Sequence, residues 1–259
     1  MKNLFFHGRN MKNSSRASKL SAIKSFFAFL LYDGAISSNE DPAARIPSPK
    51  VTKVMPQKFS TAQLSAIFAA PDLIKPEGIR DIAILKTLYG IGPRVSEIKN
   101  VTLDDIRHAG NDLLIYIHGK GAKERVVRLR SRAADAVRQW LVIRDKFAAP
   151  GERALFVSFR PPRPGTKMSE VSFNAILKKY AAAVGIKDER VFVHKLRSTF
   201  ATDLYDSGEV GLIEISILMG HESIETTRDY IAISEKFLRK AAISNKRWKE
   251  LENGYAEGN

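Results

Sequence analysis

Residues 193–200 read Val-His-Lys-Leu-Arg-Ser-Thr-Phe. Nothing in this run breaks a helix. A helix over His194–Asp206 is expected, turning through Ser207-Gly208. Residues three apart share a helix face, so His194 and Arg197 would project into one space. Together they can bind one phosphoryl group, the guanidinium through its fork of donors and the imidazole by hydrogen bonding or proton transfer. Taken alone, the pair is weak evidence and reads more simply as a helix-surface His/Arg pair.

Downstream, a helix is expected over Leu212–Leu218, ended by Gly220, with further helices at Ser223–Ile231 and Glu235–Glu250. His221 falls at the junction before Ser223, where a side chain can reach a pocket. Tyr230 follows nine residues later. On one unbroken helix, at about 100° per residue, the two would lie on opposite faces. The Gly/Ser break removes that constraint. An isolated Tyr in this setting is otherwise a packing residue with a wet hydroxyl.

Upstream, Leu113–His118 and Arg125–Leu129 read as strands joined by the turn 119–124, Gly-Lys-Gly-Ala-Lys-Glu, with Lys120 at its tip. A solvated hairpin lysine is the plain alternative. Ala154–Ser158 reads as a further short strand. In Tyr-Gly-Ile-Gly-Pro-Arg, residues 89–94, Pro93 suits the first helical position and Arg94 the second, beside free N–H groups that attract anions. Further helices are expected at Ser60–Ala70 (Ser60 and Gln63 forming a capping box), Ile79–Tyr89, Pro93–Asn100, Arg132–Phe147 and Ser169–Val184. The expected fold is mainly α with a small antiparallel β-sheet, an α+β class.

The front of the chain differs. A helix is expected over Ser15–Asp33, stopped by Gly34 in the left-handed conformation, and a short helix around Asp41–Arg45. Pro47, Pro49 and Pro56 then interrupt regular structure, with Lys50, Lys53 and Lys58 among them. The expected organisation is a shortened helical segment at 1–46, a basic linker at 47–59 and a larger domain at 60–259. The triplet Met-Lys-Asn occurs at residues 1 and 11, so Met11 is a second candidate start.

Composition narrows the function. The 259 residues carry 42 Lys+Arg against 28 Asp+Glu, a net charge of +14. That suits a polyanionic partner, because each phosphate neutralised releases condensed counterions. There is no cysteine, which removes disulfides, thiolate nucleophiles and Cys-ligated zinc together. No apolar run approaches the roughly 20 residues of a membrane span. A cytoplasmic protein without membrane contact is expected. Of the five histidines, His7 and His108 lack catalytic-looking neighbours, and His118 is expected to be structural.

The order of Arg94-Val-Ser-Glu-Ile, Gly119-Lys120-Gly121 with Lys123-Glu124-Arg125, His194-Lys-Leu-Arg197, and Gly220-His221 with Tyr230 resembles the tyrosine recombinases, or phage-type integrases, most nearly their Xer-type members. The resemblance runs from about Ser14 to Lys240. It implies that Tyr230 is the nucleophile, that Arg94, Arg197 and His221 hold the scissile phosphate, that Lys120 protonates the leaving 5′-oxygen, and that His194 assists as acid–base. It implies a helical, SAM-like core-binding segment in front, shortened here. It also implies recombination of specific double-stranded DNA sites without metal or cofactor, by protomers that are monomeric in solution and tetrameric on paired sites. In the family, a C-terminal helix passes to a neighbouring protomer. Chromosome-dimer resolution, phage integration and transposon excision share this catalytic set.

Physical chemistry supports the roles separately. A phenol with a pKa near ~10 is a poor nucleophile at neutral pH and needs a cationic surround. Arginines supply charge that does not deprotonate. No carboxylate cluster with metal-ligand spacing and no phosphate-cradling loop accompanies these residues. The competing readings are a helix-turn-helix DNA-binding protein without enzymatic activity, a type IB topoisomerase, and an inactive remnant that still binds DNA. Gly92-Pro93, Ser198 and Met219 depart from the usual family residues but touch none of the six proposed site positions.

Overall fold

The computed structural model describes residues 11–51, 58–119, 124–187 and 191–220. The chain divides into two compact units between residues 54 and 55, inside the stretch read as a linker.

In the first unit, α1 (Asn13–Tyr32) ends as its sequence requires. Gly34 takes φ +73°. Its N–H donates to Leu31 O at 3.2 Å and that of Ala35 to Leu30 O at 3.0 Å, the paired bonds of a left-handed helix stop. The expected helix at Asp41–Arg45 is not formed. A 3-10 turn lies earlier, at Ser38–Glu40, and residues 42–45 form turns. Asp41 is the reason. Its carboxylate accepts the Ala43 N–H at 2.7 Å, the side-chain-to-backbone bond that favours a turn over a helix.

The second unit is built on α3 (Pro76–Ile91), preceded by α2 (Thr61–Ala69). Ser60 caps α2, accepting the Gln63 N–H, while Gln63 Oε1 accepts the Ser60 N–H. Pro76 opens α3, and the helix buries residues on nearly every side, including Ile84, Leu85 and Leu88. A helix apolar all round belongs in a core, and α3 packs on α5 (Ser131–Arg144), α6 (Glu170–Ala183) and α7 (Val193–Ser207). The short α4 (Val95–Ile98) follows α3. α8 (Leu212–Met219) closes the described part.

The sheet is three-stranded and antiparallel: β1 (Ile106–Ala109), β2 (Asp112–His118) and β3 (Glu124–Leu129), with β2 central. Leu113, Ile115 and Ile117 on β2 are fully buried while the residues between them are only partly so. That is the period of two of a half-buried strand. β1 is a strand that the sequence does not announce. It is an edge strand whose central residues, Arg107 and His108, are exposed, so it carries no apolar alternation to read.

The strand expected at Ala154–Ser158 is likewise absent, replaced by isolated bridges Thr102–Ala154 and Val157–Lys167. Its carbonyls bond side chains instead of a strand. Arg144 donates to Ala154 O and Glu152 O, Trp140 Nε1 to Leu155 O, and Arg80 to Val157 O. Among the described residues, no helix is long and apolar enough to cross a membrane.

Candidate active site

α8 ends at Gly220, whose φ of +61° makes a left-handed stop. The last carbonyls of a helix lack intrahelical partners and carry the negative end of its dipole. Three arginines from three elements converge on them. Arg125 Nε, from β3, donates to Leu218 O at 2.9 Å. Arg197 Nη2, from α7, donates to Met219 O at 2.5 Å. Arg94 Nη2, at the start of α4, donates to Gly220 O at 2.7 Å. Arg197 Nη1 also donates to Gly92 O, at the end of α3, at 2.5 Å. It thereby ties two helix ends together.

Arg94 and Arg197, distant in sequence, therefore meet at one place. Their setting differs. The Arg94 side chain is 40% exposed, whereas Arg197 is buried. Arg94 stands two positions earlier in its helix than the sequence suggests. It is the N-cap of α4, with extended backbone (φ −69°, ψ 148°), not the second helical residue. The N–H of Arg94 itself has an internal acceptor. Glu97 Oε2 accepts the Arg94 N–H at 2.8 Å, and Oε1 accepts Arg94 Nη1 at 2.8 Å.

Glu97 is a member of the site that sequence reasoning passed over, and Arg125 is another. Arg125 Nη1 and Nη2 reach the two Glu97 oxygens at 3.1 and 2.7 Å. Burial pushes the Glu97 carboxyl up. The hydrogen bonds and charges of Arg125 and Arg94 more than offset this and hold it at about 2. The available signal was the three-residue spacing of Arg94 and Glu97 before a short helix, which is the spacing of a helix-start clasp.

His194 and Arg197 lie in the first half of α7 as expected. Packed neighbours hold the His194 pKa below its ordinary value, and the charges of Arg197 and Arg94 add to this. The residue exposes much of its own surface, so the two fixed charges are the firmer cause. An imidazole so placed is neutral at pH 7 and able to accept a proton.

His118 does serve the sheet. Its Nε2 lies 2.8 Å from Asp105 and its Nδ1 2.9 Å from Glu124. Lys58, read as a linker phosphate contact, has partners inside the fold: its ammonium lies 3.1 Å from Asp203 and 2.8 Å from Asp206 on α7. Both pairs compete with the linker-phosphate contact expected of it. The next residue, Phe59, is buried and donates its N–H to Thr199 Oγ1 at 3.0 Å, so the catalytic-side packing begins before Ser60. Lys50 is exposed. Lys53, Lys120, His221 and Tyr230, and the helices expected after Gly220, lie outside the described residues.

Residues 57–236 match the Phage integrase family. The chain belongs to this family, the tyrosine recombinases, enzymes of site-specific DNA recombination. Among curated proteins it is 37% identical over 235 residues to tyrosine recombinase XerD of Lacticaseibacillus casei, covering 90% of this chain and 77% of the relative. It is 33% identical over 231 residues to tyrosine recombinase XerC of Vibrio parahaemolyticus, covering 89% and 71%. Its fold matches that of the XerH site-specific recombinase bound to difH substrate in a pre-cleavage complex. There the TM-score is 0.70 and the identity 21%, and the match covers 88% of this chain and 65% of that one.

Proposed function

We propose that this chain cleaves and rejoins double-stranded DNA at specific sites through a 3′-phosphotyrosyl intermediate on Tyr230. The observation that carries the reading is the convergence of Arg94 and Arg197 on the end of α8, with His194 in the field of both. The Tyr230 oxygen attacks phosphorus and the bond to the 5′-oxygen breaks. The phenol proton passes to a base, a role suited to neutral His194, and Lys120 supplies a proton to the leaving oxygen. Arg94, Arg197 and His221 offset the charge that develops on the phosphorane. Religation is the reverse reaction. The energy of the diester is held in the phosphotyrosine, so no nucleotide is consumed.

In this reading Arg94, with its side chain 40% exposed, meets a phosphate directly. Arg197 lies deeper, so its contact with a phosphate entails movement of the groups around it. Lys50 and Lys53 are the linker residues left to contact backbone phosphates. The assembly proposed is a monomer in free solution and a tetramer on paired sites.

The test is trapping on a nicked duplex of the candidate site, where the short fragment bearing the freed 5′-hydroxyl diffuses away. Wild-type protein is expected to accumulate a covalent adduct. Tyr230→Phe is expected to bind the DNA and form none. An adduct with the Phe variant would show that Tyr230 is the wrong nucleophile. Site-specific adducts also separate recombination from a helix-turn-helix regulator, which forms no covalent species.

A further inference from the structure

We propose that Arg125 is a positioning residue of this site, fixing the side chain of Arg94 through Glu97 and the end of α8 through the Leu218 carbonyl. The proposal rests on the recombinase reading above for its catalytic consequence, and on geometry alone for the positioning itself.

Arg125 stands in an unusual place for a cation. β3 points Val127 and Leu129 into the core, and the period of two places Arg125 in the same inward row. Its register partner on β2 is Ile117, which is fully buried. An apolar side chain would ordinarily continue that row. The guanidinium instead fills the gap between β3, α4 and the end of α8, with its side chain only 14% exposed.

Its bonds define what it does there. Three of its donors are directed at two partners, Leu218 O and the Glu97 carboxylate. Glu97 is 5% exposed at its side chain and accepts four bonds, two from Arg125 and two from Arg94. A carboxylate offers about four acceptor sites, so the two arginines share it fully. Removing Arg125 would leave half of a buried carboxylate to Arg94 alone. The guanidinium of Arg94 would then be drawn onto Glu97 and away from the Gly220 carbonyl.

Gly220 records the same closeness. A Cβ there would sit 2.7 Å from Arg125 Nη1, so a side chain at this position would displace the guanidinium. The close approach of Arg125, together with the left-handed backbone, favours glycine at the point where Gly220 O meets Arg94.

The experiment compares wild type with Arg125→Gln, Glu97→Gln and the double variant, each at a temperature where melting shows it folded. Single-turnover adduct formation is measured on saturating nicked DNA, and affinity separately. The expected result for Arg125→Gln is a rate lower by tenfold or more, at the scale of a small misplacement of a catalytic group, with affinity changed by less than about threefold. The double variant is expected to be no slower than the worse single, because the two side chains act as one unit. A duplex with sulfur in place of the leaving 5′-oxygen distinguishes the route, since a thiolate departs without a proton. Persistence of the defect is expected. Rescue by sulfur would put the fault at Lys120 and overturn the route through Arg94.

A second readout needs no catalysis. The Arg94 Nε–H resonance, assigned by its loss in Arg94→Lys, is expected to shift and broaden in Arg125→Gln. An unmoved resonance, or a wild-type rate, overturns the proposal. If Arg125→Gln does not fold, Arg125→Leu with Glu97→Gln removes both charges and suits the inward row, and the same readouts apply. If wild type forms no adduct, the recombinase reading fails while the resonance still decides the positioning claim.

Discussion

His118 and Glu124 are paired across the final rung of the β2–β3 ladder, with the imidazole Nδ1 2.9 Å from the Glu124 carboxylate. The other ring nitrogen faces Asp105 at 2.8 Å. Carboxylates only accept, so both ring nitrogens must carry hydrogen for both bonds to form. The hydrogen bond to Asp105 chiefly, and Glu124 as well, raises the His118 pKa.

The sign of the pH effect follows. A folded pKa above the unfolded value near ~6.5 gives stabilisation that is complete below that value. It is lost as pH rises through the folded pKa. We expect wild type to lose a small part of its stability on going from about pH 6 to about pH 8 relative to His118→Gln. Paired denaturation curves check this, and parallel curves for the two proteins would contradict it.

Glu97 gives the opposite window. Its folded pKa of about 2 lies below the unfolded value near ~4.3, so its stabilisation is complete above that value and lost as pH falls through the folded pKa. At pH 7, Glu97→Gln is expected to cost about 3 kcal/mol, the scale of breaking a buried ion pair. For a unit of this size that lowers the melting temperature by about 6–12 °C. A melting temperature within a degree of wild type would be inconsistent with the geometry.

His194 is expected to titrate below the ordinary histidine value in the protein without DNA, because packing and the charges of Arg197 and Arg94 disfavour its cation. Its ring-proton NMR midpoint checks this directly. Arg94→Gln should move the midpoint up, and Arg94→Lys, which keeps the charge, should leave it low. A wild-type midpoint at or above ~6.5 would contradict the assignment.

Linker lysines should separate by role. Removing Lys50 or Lys53 is expected to flatten the salt dependence of DNA binding by about 0.9 in log–log slope for each phosphate no longer neutralised. Lys58→Gln should leave the slope unchanged and cost at most about 1 kcal/mol of stability, the ceiling for a pair with partly exposed side chains. Equal slope changes for all three would return Lys58 to the residues that meet DNA.

Much of the fold was legible because its signals are local. Ser60 and Gln63 start a helix by bonding each other, and Gly34 stops one by its own backbone freedom. Leu113, Ile115 and Ile117 announce a strand by alternation. Arg94, His194 and Arg197 draw notice by type and spacing, but the roles expected of them come from the family resemblance. What escaped depends on distant partners. β1 has no apolar period, and residues 154–158 give up a strand because Arg144, Trp140 and Arg80 claim their carbonyls. Arg125 looks like one more surface cation in a basic chain until α8 and Glu97 are in place around it. The role of Glu97 is hidden for the same reason, since its second arginine comes from another element.

The clasp on Gly220 also acts as a mooring. From that point the chain runs ten residues to Tyr230. A fully extended chain gains at most about 3.3–3.6 Å per residue, so the tyrosine is tethered within roughly 35 Å of the three arginines whatever course it takes. That radius limits the choice of target before any base is read. A phosphate beyond it is out of range for this nucleophile, however well its sequence is recognised.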